Sequence, residues 1–218
     1  MNMKAKTIFL SVLVSVFVFV SAGFAQDGGN FEVSGLVGGQ INGGIDLSTT
    51  LYKRIEAGNA LSYGATVGYL MGEHYGVEFQ WTRSETDTRA QPLIAGPSVK
   101  LFNLTQDHYL ANFLLHLTPR EDHMRPFVSF GMGANDLSAN TRGVGNSTRF
   151  TFALGGGVKY YMSKHVGFRG QIQWVPTYLG TTNNGGYWCD PIWGGCWLVG
   201  NSHYLHSFDL GAGLTLRF

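Results

Sequence analysis

Six charged residues stand on the polar side of segments that alternate polar and apolar: Glu32, Glu78, Lys159, Arg169, Asp209 and Arg217. Between them come Gln40, Gln80, Asn112, His116, Gln171 and Gln173. Three acids face three bases. If a closed sheet enclosed this set, opposite charges would pair, because an uncompensated buried charge costs several kcal/mol. The chemistry available is a plug of salt bridges and hydrogen bonds, or, from the same residues, the wall of a narrow gated pore.

Cys189 and Cys196 share a stretch rich in Gly, Trp and Asn. With six residues between them, the pattern reads as a disulfide that staples a loop, contributing about 2 to 3 kcal/mol at most. A structural zinc needs four ligands, commonly two close pairs, and a single widely spaced cysteine pair does not supply them. The same stretch carries Tyr187, Trp188, Trp193 and Trp197. Rigid aromatics anchor binding partners, and they also settle at the headgroup level of a membrane; both uses stay open. His206 beside Ser207, and His203 beside Ser202, are poor dyads, since neighbours in a strand point to opposite faces. His74, His123 and His165 fall at turns, where water or headgroups are the expected company. Gly155, Gly156 and Gly157 lie within an alternating segment, and no Lys-Ser/Thr follows as a phosphate loop requires. The pattern predicts no catalytic residues, no cofactor and no metal.

The elements that must position these residues follow from composition and period. Of 218 residues only 13% are charged, about half the usual quarter of a soluble domain, while 31 are glycine. A net charge of +1 gives no nucleic-acid footprint. Residues 1–25 read as a secretory signal: Lys4 and Lys6, an apolar run from Ile8 to Val20, then small residues around Phe24. Cleavage after Ala25 leaves residues 26–218 as one domain.

Beyond that point no helical periodicity appears, and alternation with period two recurs throughout. In the last segment Phe208, Leu210, Ala212, Leu214, Leu216 and Phe218 share one face, while Ser207, Asp209, Gly211, Gly213, Thr215 and Arg217 share the other. Tyr75 to Thr82 and His108 to Thr118 divide likewise, and Phe31–Asn42, Leu61–Gly72, Met124–Asn135, Arg149–Met162 and His165–Tyr178 make eight strands. Connections alternate in length. Gly72–His74, Pro119–His123 and Ser163–Lys164 are tight, whereas Gly43–Ala60, Thr88–Asp107, Asp136–Thr148 and Gly180–Ser202 are long. Short turns on one rim and long loops on the other are the pattern of an up-and-down transmembrane barrel, with both termini on the short-turn, periplasmic side. A lipocalin-like soluble barrel would enclose the apolar face instead. The charge deficit favours apolar residues outside, against lipid.

The terminal FDLGAGLTLRF resembles the last strand, closed by an aromatic residue, of bacterial outer-membrane barrels. FALGGGVKYYMSKHVGFRGQIQW resembles the penultimate hairpin of small eight-stranded OmpA/OmpX-type barrel domains, and YGVEFQW and RPFVSFGMGA resemble earlier strands. The resemblance covers nearly the whole mature chain. It implies an all-β, eight-stranded antiparallel barrel in the bacterial outer membrane, in contact with outer-membrane lipids and lipopolysaccharide. It also implies recognition by the barrel assembly machinery through a terminal strand ending in Phe218. The long loops would then be extracellular, with a structural role or one in adhesion or ligand binding at a host or other surface. Because the chain ends at Phe218, no peptidoglycan-binding domain is expected. Some barrels of this size modify lipid A, but the serine and histidine placements above do not suit that chemistry.

Overall fold

The computed structural model describes residues 29–46, 52–92, 99–139, 147–178, 186–189, 196–199 and 204–218. The expected signal, Trp193, and the His203 and Ser202 pair lie outside these. The strands are β1 (Phe31–Asn42), β2 (Gly44–Asp46), β3 (Tyr52–Ala57), β4 (Ala60–Met71), β5 (Tyr75–Pro92), β6 (Val99–His116), β7 (Met124–Ala139), β8 (Ser147–Tyr161), β9 (Val166–Tyr178), β10 (Gly186–Cys189), β11 (Cys196–Val199) and β12 (Tyr204–Arg217). Eight of them close on themselves in the antiparallel order β4-β1-β12-β9-β8-β7-β6-β5, with β5 returning to β4. Among the described residues no helix is long and apolar enough to cross a membrane. A closed sheet has no edge, so its strands can cross hydrocarbon with every backbone group satisfied.

The register fixes the barrel's dimensions. Following paired residues around the sheet from Phe31 leads through Tyr69, Val77, Phe113, Phe130, Leu154, Trp174 and Phe208 to Ile41, ten residues further along β1. A stagger of that size over eight strands tilts them by about 40° and leaves an interior that side chains fill.

Alternation sends apolar residues outward. Val37, Val67, Phe79, Phe130, Leu154, Ile172, Leu210 and Leu214 are all exposed, whereas among the described residues the buried apolar side chains are few and Leu110, Ala153 and Val175 form a small cluster. The exterior is greasy and the interior polar, the reverse of a soluble barrel and the arrangement of a bilayer-spanning one. Aromatic pairs ring the apolar belt: Phe31 with Tyr69 (5.0 Å) near the terminal rim, and Tyr63 with Trp81 (6.0 Å) and Phe152 with Trp174 (5.7 Å) near the opposite rim. Tyr and Trp suit those depths, where a ring meets hydrocarbon on one side and water on the other.

The tight turns occur where alternation breaks, and Gly72 supplies the positive φ (79°) that the β4–β5 turn needs. The long connections differ from the sequence expectation. β5 continues to Pro92 and β6 begins at Val99, so most of 88–107 is paired strand rather than loop. β7 and β8 likewise extend to Ala139 and from Ser147, β2 and β3 pair within 43–60, and β10 pairs with β11 within 180–202. Polar residues on both faces conceal these extensions: Arg83-Ser-Glu-Thr-Asp-Thr-Arg89 has no apolar partner set, so period two is invisible beyond the belt. At the belt's edge Arg83 binds Asp107 through two hydrogen bonds (2.8 and 2.7 Å), and Trp81 Nε1 donates to the same carboxylate (3.1 Å).

Phe130 stands mid-belt on β7, while Val77 lies closer to the tight turn at residues 72–74. Phe130→Arg is expected to cost about 2 to 4 kcal/mol and Val77→Arg less, because the penalty for charge on the lipid face falls with distance from the midplane. Reversible urea unfolding in lipid vesicles measures both, and equal stability of Phe130→Arg and wild type would overturn the assignment of faces.

Candidate functional site: a charged lumen

Glu32 enters the lumen near the terminal rim from β1, opposite Arg217 on β12. It is the hub of a cluster. Lys159 Nζ from β8 donates to Glu32 Oε2, and the Tyr161 hydroxyl donates to Oε1. Arg217 adds bonds from Nε (3.1 Å) and Nη2 (3.0 Å). Glu32 is 3% and Lys159 0% exposed, so each charge depends on the other for the solvation it has lost. The Arg217 guanidinium also lies 3.7 Å from the centre of the Tyr161 ring, which turns its negative face to the cation.

Glu78 and Arg169 form a second tie one layer further in, again across the lumen, from β5 to β9. Arg169 grips the carboxylate with both terminal nitrogens, Nη2 to Oε1 at 2.9 Å and Nη1 to Oε2. This fork geometry gives the strongest carboxylate pairing that side chains offer. Arg169 also donates to Thr66 Oγ1 (3.3 Å) and to Gln171 Oε1 (2.7 Å). Phe127 lies beneath both layers of cations, 5.5 Å from Lys159 and 5.0 Å from Arg169.

Amides continue the network. Gln171 Nε2 donates to Gln173 Oε1 (3.3 Å), which also accepts from Gln80 Nε2 (2.8 Å), and Asn112 Nδ2 donates to Gln80 Oε1 (3.0 Å). Farther along, Ser84 donates to Gln40, and Asn135 donates to Thr177 (3.0 Å). The interior is thus tied between non-neighbouring strands, from β1 to β8, from β5 to β9, from β5 to β1 and from β7 to β9.

Five of the six charges singled out from the sequence meet in these two clusters. The sixth, Asp209, does not: it stands against His108, whose Nδ1 lies 3.4 Å from Oδ2. His116 is buried with neither ring nitrogen bonded. Cys189 and Cys196 are register partners on β10 and β11, as are Trp188 and Trp197, and Tyr187 stands opposite Leu198. Phe218 closes the barrel by exchanging backbone bonds with Phe31, N–H to O at 2.9 Å and 3.3 Å in the two directions. His206 is exposed and Ser207 buried, so the two do not meet. Sequence reasoning passed over Arg125, Phe127 and Tyr161. Arg125 is fully buried and donates to the Glu73 carbonyl (2.7 Å). Tyr161 shares Lys159's face at i+2, a signal that was available in the alternation.

The turn histidines also have partners beyond solvent. His74 Nδ1 lies 3.1 Å from the His116 carbonyl, His123 Nδ1 2.9 Å from that of Tyr161, and His165 Nδ1 3.0 Å from that of Arg217. In return the backbone N–H of His116, Tyr161 and Arg217 donates to the carbonyl of the same histidine, at 2.6, 2.7 and 2.8 Å. Each ring therefore carries its proton on Nδ1.

Among the described residues no group of three or more His, Cys, Asp or Glu could hold a metal. The sequence has no match among curated proteins. Among solved structures, the chain is similar to Neisserial surface protein A (TM-score 0.56, 16% identity, covering 87% of this chain and 97% of that one). It is also similar to the outer membrane protein OprG from Pseudomonas aeruginosa (TM-score 0.57, 13% identity, 87% and 96%). At such identities the likeness concerns the fold. The family model described as the outer membrane protein beta-barrel domain matches residues 10–195, most of the chain. With its closed eight-stranded sheet, apolar exterior and polar lumen, the chain belongs to the outer membrane protein beta-barrel family.

Proposed function

We propose that this protein is a structural and surface-interaction barrel of the bacterial outer membrane, working through its long loops while its lumen stays shut. The observation that carries this reading is the pair of cross-lumen ion clusters, Glu32 with Lys159 and Arg217, and Glu78 with Arg169. A lumen tied at two successive layers is a scaffold rather than a conduit. Strand extensions such as β5 to Pro92 and β6 from Val99 support the same reading, because they carry the connecting loops beyond the apolar belt. In this proposal residues 1–25 are a cleaved export signal, the termini are periplasmic and the loops extracellular. Lipid and lipopolysaccharide surround the belt, the assembly machinery reads the strand ending in Phe218, and the protein is not an enzyme. Neisserial surface protein A, one of the similar structures, is by its name a surface protein, which supports a place at the cell surface.

The contact surface in this reading is the β10–β11 hairpin with Tyr187, Trp188, Trp193 and Trp197. Deleting residues 187–198 is expected to abolish adherence of expressing bacteria to cultured epithelial cells while heat-modifiable migration of the folded barrel persists. Undiminished adherence would reject the role.

The hairpin is held, in this proposal, by a disulfide between Cys189 and Cys196. Directly opposed residues of an antiparallel pair have Cα atoms about 4.5 to 5.5 Å apart, within the span a disulfide bridges. Mass spectrometry of unreduced protein should find the peptides joined, and free thiols at both positions would refute the bond.

A second reading, a narrow gated pore, draws on the same charge clusters. Planar bilayers containing purified folded wild type are expected to be silent. Reproducible unitary steps, altered in Glu78→Ala or Arg169→Ala, would replace the scaffold by the pore.

A further inference from the structure

The apolar wall is not equally tall all round. On β5 and β6 it ends at Trp81 and Tyr109, and the next outward pair is Arg83 with Asp107, followed by Glu85 opposite Thr105 and Asp87 opposite Asn103. On the opposite flank it continues past Phe152 and Trp174. There Phe150 is 56% and Ile41 47% exposed, and beyond them Tyr178 packs against Tyr204 (5.4 Å). A strand inclined to the barrel axis gains about 2.5 Å of height per residue. Measured from the tight turns, the wall is about 15 to 18 Å tall on β5 and β6 but about 25 Å on β1 and β8, and only the latter matches the usual band of ~25 Å.

Two ways of hiding this shortfall are closed. An arginine near hydrocarbon normally reaches up to the headgroups. Arg83 is instead gripped by both oxygens of Asp107, one of which also accepts from Trp81 Nε1, and the short, buried Asp107 side chain cannot follow it upward. Tilting the barrel to lift this flank would draw its turns into the bilayer, and those carry the exposed acids Glu73, Glu121 and Asp122 directly below Tyr75 and Leu117. A lipid-facing wall shorter than the bilayer is then met by thinning of the bilayer itself.

We propose that the membrane is thinned beside β5 and β6, the leaflet on the long-loop side dipping until its headgroups meet the Arg83–Asp107 pair. The half-exposed Arg83 guanidinium suits their phosphates, as a charge-assisted donor. This inference needs only the membrane-spanning fold and uses none of the loop residues of the surface role proposed above, so either can fail without the other.

Spin labels read the depth. In the full, folded barrel carrying Cys189→Ser and Cys196→Ser, single labels enter through Glu85→Cys on β5 or Phe150→Cys on β8, both roughly 25 Å above the turns. In dioleoylphosphatidylcholine vesicles the β8 label should collide mainly with dissolved oxygen, as in hydrocarbon, and the β5 label mainly with a water-soluble nickel chelate, the collision ratios differing severalfold. Equal ratios at the two positions would overturn the proposal. Arg83→Leu combined with Asp107→Leu, confirmed as folded by heat-modifiable migration, makes the flank apolar and should bring the β5 label to the ratio of the β8 label. A β5 label unmoved by that change would overturn the proposal as well.

Discussion

A sheet that crosses hydrocarbon must have no edge, and everything else in this molecule follows from how its edge is removed. Closure with a ten-residue offset between Phe31 and Ile41 sets strand tilt and radius together. The resulting lumen is narrow, so a side chain from one wall reaches the opposite wall. Lys159 of β8 therefore finds Glu32 of β1, and Arg169 of β9 finds Glu78 of β5. In a wider barrel the same residues would line water and remain separate.

The inversion of inside and outside explains the composition. A soluble barrel spends its charge on the surface; here the described surface of the belt is mainly Val, Leu, Ile, Met, Phe and Tyr, and the described charge lies in the lumen, the tight turns and the strand extensions. Interior ion pairs of this kind are a poor source of net stability, because desolvation consumes much of the Coulomb gain. Their effect is to fix which strands stand opposite one another. Removing one partner leaves the other charge buried, so a register that separated Glu78 from Arg169 would be penalised.

Much of this was legible in the sequence because alternation is a local signal. Phe208 to Phe218 shows its two faces without any neighbour, and the tight turns stand where the pattern breaks. What alternation does not carry is the stagger, and the stagger decides partners. No local feature says that Glu32 takes both Lys159 and Arg217, or that Asp209, equally acidic and equally inward, is left with His108. The extended ends of β5 and β6 were hidden for another reason: where water bathes both faces, apolar alternation vanishes while backbone pairing continues. Arg125 and Phe127 both face inward, and an apolar ring beside a cation on one face gives alternation no single polarity to reveal.

The turn histidines act on more than their own turns. His74 in the β4–β5 turn is bonded to the end of β6, His123 before β7 to the end of β8, and His165 before β9 to the end of β12. Each is a two-way latch between one hairpin and the next, made of a ring N–H and a backbone N–H pointing in opposite directions. Strands laid down in chain order would be fastened a hairpin at a time, each latch becoming possible only when the following hairpin has arrived. The last of these latches joins His165 to Arg217, beside the Phe218 that pairs with Phe31, so the rim is fastened across the seam between the first and last strands.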